Sequence, residues 1–106
     1  MSEAEIIKIC EKTANYCFEK YDKDKKGELM LSDCPETMEI LTDFIEKKIK
    51  SKIKTAQKLH PTFEAPSPNK EIIKTMLLRH ADFNKKVSKP ELVEFLTTTY
   101  NDTIQQ

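Results

Sequence analysis

The chain has a single glycine, Gly27, which lies in the middle of a charged stretch spanning residues 22–33. Aspartates occupy the first, third and twelfth positions of that stretch, as Asp22, Asp24 and Asp33. Glycine adopts a left-handed backbone conformation at no steric cost, and a sharp turn requires one. We therefore predict a tight loop here, with carboxylates arranged around it. Because 34% of the residues are charged and no second glycine occurs, the rest of the chain is expected to form helices joined by short turns, not a sheet.

The size and charge of the chain limit how many domains it can form and which partners it can be expected to bind. A length of 106 residues corresponds to one domain, and a formal net charge of zero singles out no kind of partner. We find no apolar run long enough to span a membrane, and we expect no signal peptide before the first predicted helix.

The three cysteines, Cys10, Cys17 and Cys34, are an odd number. Cys10 and Cys17 are separated by about 10 Å if they lie on one helix, which prevents a disulfide between them. We interpret all three as reduced thiols in or near a core, with a redox switch as the alternative. This interpretation predicts a cytoplasmic location or another reducing intracellular compartment. The two histidines, His60 and His80, lack the spaced partners of a zinc site.

Apolar periodicity and capping residues predict four helices. The first begins at Ser2, with Glu5 completing a capping box, and its apolar residues recur every three or four positions. The second is predicted to begin near Asp33, where Asp33 and Glu36 would form another capping box, and to run to Leu59 before a proline. The apolar residues of the second helix that are expected to face inward are Met38, Leu41, Ile45, Ile49 and Ile53.

A proline-containing linker, residues 60–69, is predicted between the second and third helices. Ser67 and Pro68 suit the cap and the first position of the third helix. The fourth helix opens with Ser88 and Glu91 as a capping box. The last six residues of the chain, 101–106, are mostly polar, and we expect them to fray.

The stretch 22–33 resembles the calcium-binding loop of EF-hand proteins, which are built from helix–loop–helix units. The resemblance places Asp22, Asp24 and Asp33 at ligand positions 1, 3 and 12 of that loop, and Gly27 at the turn position, 6. It therefore implies a divalent-cation site in the first half of the chain.

Other positions of this loop modify that expectation. Position 7 contributes only its backbone carbonyl, a role that Glu28 can fill, and Leu29 at position 8 is expected to pair with a partner loop. Lys26 at position 5 brings a positive charge in place of an oxygen and can offer only its backbone. Asp33 is one methylene shorter than the usual glutamate. These departures imply weak binding of Ca²⁺, or of Mg²⁺ in its place, with at most one ion per chain.

A second, fainter loop ends at Glu91. The resemblance places Asp82, Asn84, Ser88 and Glu91 at ligand positions 3, 5, 9 and 12. A histidine stands at position 1, where a hard cation requires oxygen. Lys85 stands at the glycine position and would be strained in a left-handed conformation. We therefore expect the helices of this half to be retained and treat a second ion site as the less favoured alternative.

The fold implied by the resemblance is all-α, with two hands forming four helices in one domain that covers the whole chain. The first hand spans about 2–59, the linker about 60–69 and the second hand about 68–103. Leu29 and Val87 are expected to form a short antiparallel bridge between the two loops. A long, lysine-rich second helix and the linker distinguish this chain from a compact pair of hands.

The function implied by the resemblance is that of a small calcium-binding or calcium-sensor-like protein, which holds an amphipathic helix of a partner protein in an apolar groove between its hands. The alternative is an ion-independent interaction module or scaffold with vestigial loops. No nucleophile in motif context and no phosphate-binding loop is recognised, so we expect no enzymatic activity.

The later part of the second helix is basic, and it carries Lys47, Lys48, Lys50, Lys52, Lys54 and Lys58 against Glu46 alone. Such a helix can bind nucleic acid or an anionic membrane. We expect a solvated face instead, because Ile49 and Ile53 are predicted to pack inward and direct the lysines into water.

Overall fold

The computed structural model of the protein describes residues 2–64 and 69–104 and is all-α, as predicted. In chain order its elements are α1 (Glu3–Tyr21), β1 (Leu29–Met30), a turn of 3-10 helix (Leu31–Asp33), α2 (Pro35–Leu59), α3 (Lys70–His80), β2 (Lys86–Val87) and α4 (Lys89–Ile104). The two short strands pair antiparallel, with Leu29 opposite Val87, which confirms the predicted bridge.

The first helix forms as its sequence predicts. The hydroxyl oxygen of Ser2 accepts a hydrogen bond of 3.3 Å from the backbone N–H of Glu5, which satisfies one of the free donors at the helix start. The apolar stripe faces the core and contains Ile6, Cys10, Ala14, Cys17 and Phe18. The helix ends at Tyr21, where the N–H of Asp22 donates to the carbonyl of Phe18.

The start of the second helix differs from the prediction. Asp33 lies in the 3-10 turn, α2 begins at Pro35, and the capping residue is Cys34, which makes no side-chain cap. The predicted capping box of Asp33 and Glu36 is therefore wrong. Pro35 has no N–H to be capped and is suited to the first helical position. The side chain of Glu36 instead accepts a hydrogen bond from Tyr21, the last residue of α1.

The second helix does reach Leu59, as predicted, but only its first part belongs to the bundle. Ile45 is its last buried residue, and Ile49 and Ile53 are half-buried rather than packed fully inward. The amino group of Lys70, at the start of α3, lies 3.4 Å from the carboxylate of Asp43.

The third helix runs back along the first part of α2. It begins beside Asp43, and Leu78 near its end borders the same surface depression as Leu31 and Met38. Residues 46–59 of α2 therefore extend beyond the start of α3, and they contribute to the elongated dimensions of 55 × 26 × 19 Å.

Sequence and structure differ in detail at the third helix. Ser67 and Pro68 lie outside the described residues. The capping residue is Asn69, whose side-chain oxygen accepts a 2.8 Å hydrogen bond from the N–H of Glu71. An asparagine in an extended conformation can cap a helix as well as a serine can.

The fourth helix has the predicted start but not the predicted end. Ser88 and Glu91 form the expected capping box. Residues 101–104, which we expected to fray, are helical, because Thr103 is buried and its hydroxyl donates to the carbonyl of Thr99. Residues 105 and 106 are outside the described part of the chain.

The core lies between the first part of α2 and the other three helices. Lys89 at the start of α4 lies over the ring of Phe18 near the end of α1, so these two helices run antiparallel. The rings of Phe44 in α2 and Tyr100 in α4 meet edge to face, with their centroids 5.6 Å apart. The three cysteines are free and buried. Both loops and the β-bridge thus lie at one end of the bundle, and residues 46–59 extend from the other.

Candidate functional site

The first loop is held in shape by the side chain of Asp22. Its two carboxylate oxygens accept hydrogen bonds of 2.9 Å, one from the N–H of Lys26 and one from the N–H of Gly27. Gly27 has a φ of 80°, which confirms the predicted left-handed turn, and Lys25 is also left-handed, with a φ of 52°. The loop therefore closes through contacts within the protein.

Two of the other candidate ligands of this loop border a different surface depression from the one that Asp22 borders. Asp24 and Glu28 are exposed. Glu28 and Asp33 border a surface depression of about 350 Å³, together with Lys26. Asp22 borders a different depression, of about 690 Å³, beside the start of α4. Glu28 and Asp33 thus share one depression, and Asp22 borders another.

The acidic residues of the second loop serve local hydrogen bonds. Asp82 accepts one of 2.8 Å from the N–H of Asn84, and Glu91 accepts one of 2.9 Å from the N–H of Ser88. The hydrogen bonds from the backbone and side chain of Ser88 hold the pKa of Glu91 below its ordinary value. Among the described non-glycine residues, Lys25 alone has a positive φ, so Lys85 does not carry the expected strain.

Within residues 2–64 and 69–104, no group of three or more histidine, cysteine, aspartate or glutamate side chains converges closely enough to hold a metal ion. Both oxygens of Asp22 bind backbone donors, and Lys26 adds a positive charge where the resemblance would require a ligand.

A polar cluster that sequence reasoning missed links the two sides of the first loop. The hydroxyl of Tyr21 donates a 2.7 Å hydrogen bond to Glu36, and the amino group of Lys20 lies 3.7 Å from the same carboxylate. The thiol of Cys17 lies 3.9 Å from the other oxygen of Glu36. Burial, together with the neighbouring Cys34 and Glu36, raises the pKa of Cys17 to about 12. No local pattern predicts these contacts, since they join residues on either side of a loop.

A depression of about 400 Å³, lined by both apolar and polar residues, lies between the two helix–loop–helix halves, where the start of α2 meets the end of α3. Leu78 stands at its edge with 61% of its surface exposed, and the half-buried Met38 and the buried Phe83 also line it. Its other lining residues are Leu31, Ser32, Cys34, Pro35, Thr37, Ala81, Asp82 and Asn84. Sequence reasoning predicted a groove between the halves but did not identify Leu78.

No helix in the described part of the chain is long and apolar enough to cross a membrane. The exposed positions of the lysine-rich segment include Lys47, Lys48, Lys54 and Lys58. In comparisons with known proteins, no family model, no curated protein and no solved structure matches this chain.

Proposed function

We propose that this protein is an interaction module of the EF-hand kind, which binds an amphipathic helix of a partner protein without needing an ion. The observation that carries the proposal is the depression between the halves, with the apolar side chain of Leu78 exposed at its edge. A large apolar side chain exposed beside other apolar surface is a feature of binding grooves. A partner helix would place apolar anchors at three- and four-residue spacing into this depression.

Independence from an ion is supported by the first loop. Asp22 closes the loop through the N–H groups of Lys26 and Gly27, and Glu36 joins the helices on either side of it through Tyr21. These contacts hold α1 and the start of α2 together with protein groups alone. Binding of the partner helix should therefore be the same with and without Ca²⁺.

The test uses a displayed library of amphipathic helical peptides, selected on the protein in the presence of a chelator. Selected peptides are then titrated by fluorescence anisotropy against the wild type, the variant Leu78→Glu and the control Tyr16→Glu, which changes an exposed aromatic residue on α1. We expect Leu78→Glu to weaken binding at least about tenfold, since it places a charge at an apolar contact, and Tyr16→Glu to leave it unchanged.

Two results would contradict the proposal. One is a selected peptide whose affinity is insensitive to Leu78→Glu. The other is binding that appears only when millimolar Ca²⁺ replaces the chelator, because the module would then depend on an ion.

A weak divalent-cation site in the first loop is the second candidate function. It is favoured by the left-handed conformations of Lys25 and Gly27 and by the position of Asp22 at the start of the loop. Calorimetric titration with Ca²⁺, and separately with Mg²⁺, should then give at most one ion per chain, at or weaker than about 10⁻⁷–10⁻⁵ M.

A double variant sharpens this second test. Lys26→Asp combined with Asp33→Glu adds oxygens and removes a repelling charge, so Ca²⁺ binding should strengthen at least about tenfold. Two ions per chain, nanomolar affinity in the wild type, or no gain in the double variant would each contradict this assignment.

A further inference from the structure

We propose that the projecting part of α2, residues 46–59, binds an anionic lipid surface together with Phe63. We call this part of the helix the α2 extension. It differs from the proposed peptide-binding depression in position and in chemistry, so either proposal can fail without the other.

The position of the α2 extension leaves it accessible. The last buried residue of α2 is Ile45, and α3 begins beside Asp43 and runs toward the loops. The third helix therefore does not pack against the end of α2. Leu59, its last residue, is 72% exposed.

The charge of the α2 extension is concentrated. It contains six lysines and one glutamate, a net charge of +5, whereas the whole chain has a net charge of zero. The rest of the molecule therefore carries a net charge of −5. Such a separation attracts one end of the protein to an anionic surface, where each lysine near the headgroups contributes about 1 kcal/mol.

The α2 extension is also amphipathic. At about 100° per residue, Lys47, Lys54 and Lys58 fall on the opposite side of the helix from Ile49 and Ala56. The three lysines are exposed, while Ile49 and Ala56 are half-buried. An apolar face opposite a lysine-rich face is the pattern of helices that lie in the plane of a membrane interface.

Two large apolar side chains, Leu59 and Phe63, are exposed at the end of the α2 extension. The N–H of Phe63 donates a 2.8 Å hydrogen bond to the carbonyl of His60, so the chain turns directly after Leu59. Phe63 is 42% exposed and remains near the helix end. Leu59 and Phe63 can enter the boundary between headgroups and acyl chains while the lysines contact phosphates.

A lipid surface fits these features better than the other anionic partners do. Nucleic acid would engage the lysines but would leave Leu59 exposed. Pairing of two α2 extensions would bring two charges of the same sign together. An anionic bilayer accommodates both the charge and the apolar end.

The experiment is sedimentation of the full chain with vesicles of neutral phosphatidylcholine, and with vesicles that also contain phosphatidylserine. Lys54→Glu/Lys58→Glu tests the charge, and Leu59→Ser/Phe63→Ser tests the apolar end. The matched controls are Lys8→Glu/Lys12→Glu, two exposed lysines of α1, and Ile72→Ser, an exposed apolar residue of α3. All changed positions are exposed, and circular dichroism checks that each variant is folded.

We expect the wild type to bind the phosphatidylserine vesicles and not the neutral ones. Both α2 variants should lose affinity by at least about tenfold, and both controls should bind as the wild type does. Absence of binding, equal binding to neutral vesicles, or equal losses in the controls would overturn the proposal. So would tighter binding to duplex DNA that is weakened by the lysine variant and not by Leu59→Ser/Phe63→Ser, because the surface would then recognise nucleic acid.

Discussion

The hydroxyl of Tyr21 donates a 2.7 Å hydrogen bond to the carboxylate of Glu36, and this contact joins the last residue of α1 to the first turn of α2 across the intervening loop. The amino group of Lys20, on the solvent side, lies 3.7 Å from the same carboxylate. A hydrogen bond to an ionised group is stronger than one between neutral groups. The pair therefore helps to set how the two helices are oriented, independently of what the loop binds.

Removing the hydroxyl tests this contact. Tyr21→Phe keeps the ring and leaves Glu36 without one of its donors, so we expect a lower urea midpoint of unfolding with an unchanged m-value. Tyr16→Phe, which changes an exposed tyrosine of the same helix, is the control and should leave the midpoint unchanged. Equal midpoints for the two variants would show that the contact with Glu36 does not stabilise the fold.

Two adjacent leucines of α3 should respond very differently to the same substitution. Leu77 is fully buried, whereas Leu78 is largely exposed. Leu77→Ala leaves a cavity and should lower the free energy of unfolding by about 2–5 kcal/mol, while Leu78→Ala should change it by less than about 0.5 kcal/mol. Urea titration of both variants measures the difference, and similar losses would mean that α3 is rotated from the position described here.

Gly27 forms the turn of the first loop, and a substitution there should change the stability of the protein only through the backbone conformation. Its φ of 80° is unfavourable for other residues, and a Cβ atom added there would meet nothing within 4 Å. Gly27→Ala should therefore reduce the free energy of unfolding by about 1–2 kcal/mol through backbone strain alone, and Gly27→Asn by less. Lys23→Ala in the same exposed loop is the control. If Gly27→Ala is as stable as the wild type, the loop does not require a left-handed residue.

The thiols should be protected from alkylation in the native state. All three are buried, and the pKa of Cys17 is raised from 9.0 to about 12, so little nucleophilic thiolate forms near neutral pH. The protonated thiol of Cys17 supports the fold below pH 9.0, and this support is lost as the pH rises toward about 12. Iodoacetamide followed by mass spectrometry should show little labelling in buffer and three modified cysteines in urea. Rapid native labelling of Cys17 would contradict the burial.

Acid should weaken the start of α4. The hydrogen bonds from Ser88 lower the pKa of Glu91 from 4.5, so Glu91 supports the fold above that value and loses its effect as the pH falls through its lowered pKa. Ser88→Ala removes the side-chain hydrogen bond and keeps the backbone N–H donor, so it should raise the pKa of Glu91 part of the way toward 4.5, which NMR titration of the carboxyl carbon can measure. Glu91→Gln should make stability less dependent on acid pH, with Glu94→Gln on the same helix as the matched control. An unchanged Glu91 pKa in Ser88→Ala would show that the Ser88 side chain does not contribute to the shift, and would leave the backbone N–H of Ser88 as its cause.

The features that the sequence determined by itself are those set by neighbouring residues. The side-chain cap at Ser2, the capping box at Ser88, the extent of α2 to Leu59 and the left-handed turn at Gly27 all depend on contacts within a few positions of the chain. Local propensity and periodicity are sufficient to predict such features.

Tertiary packing determined which of the hydrogen bonds and buried positions that the local sequence allows were formed. Glu36 had a capping partner available in Asp33 but hydrogen-bonds to Tyr21 instead, because the packing of α1 against α2 brings a better donor to it. Ile49 continues the apolar stripe of Ile45 yet lies only half-buried, because α3 begins beside Asp43 and the bundle ends there. Periodicity records which face of a helix is apolar, and only the arrangement of the other helices determines how much of that face is covered.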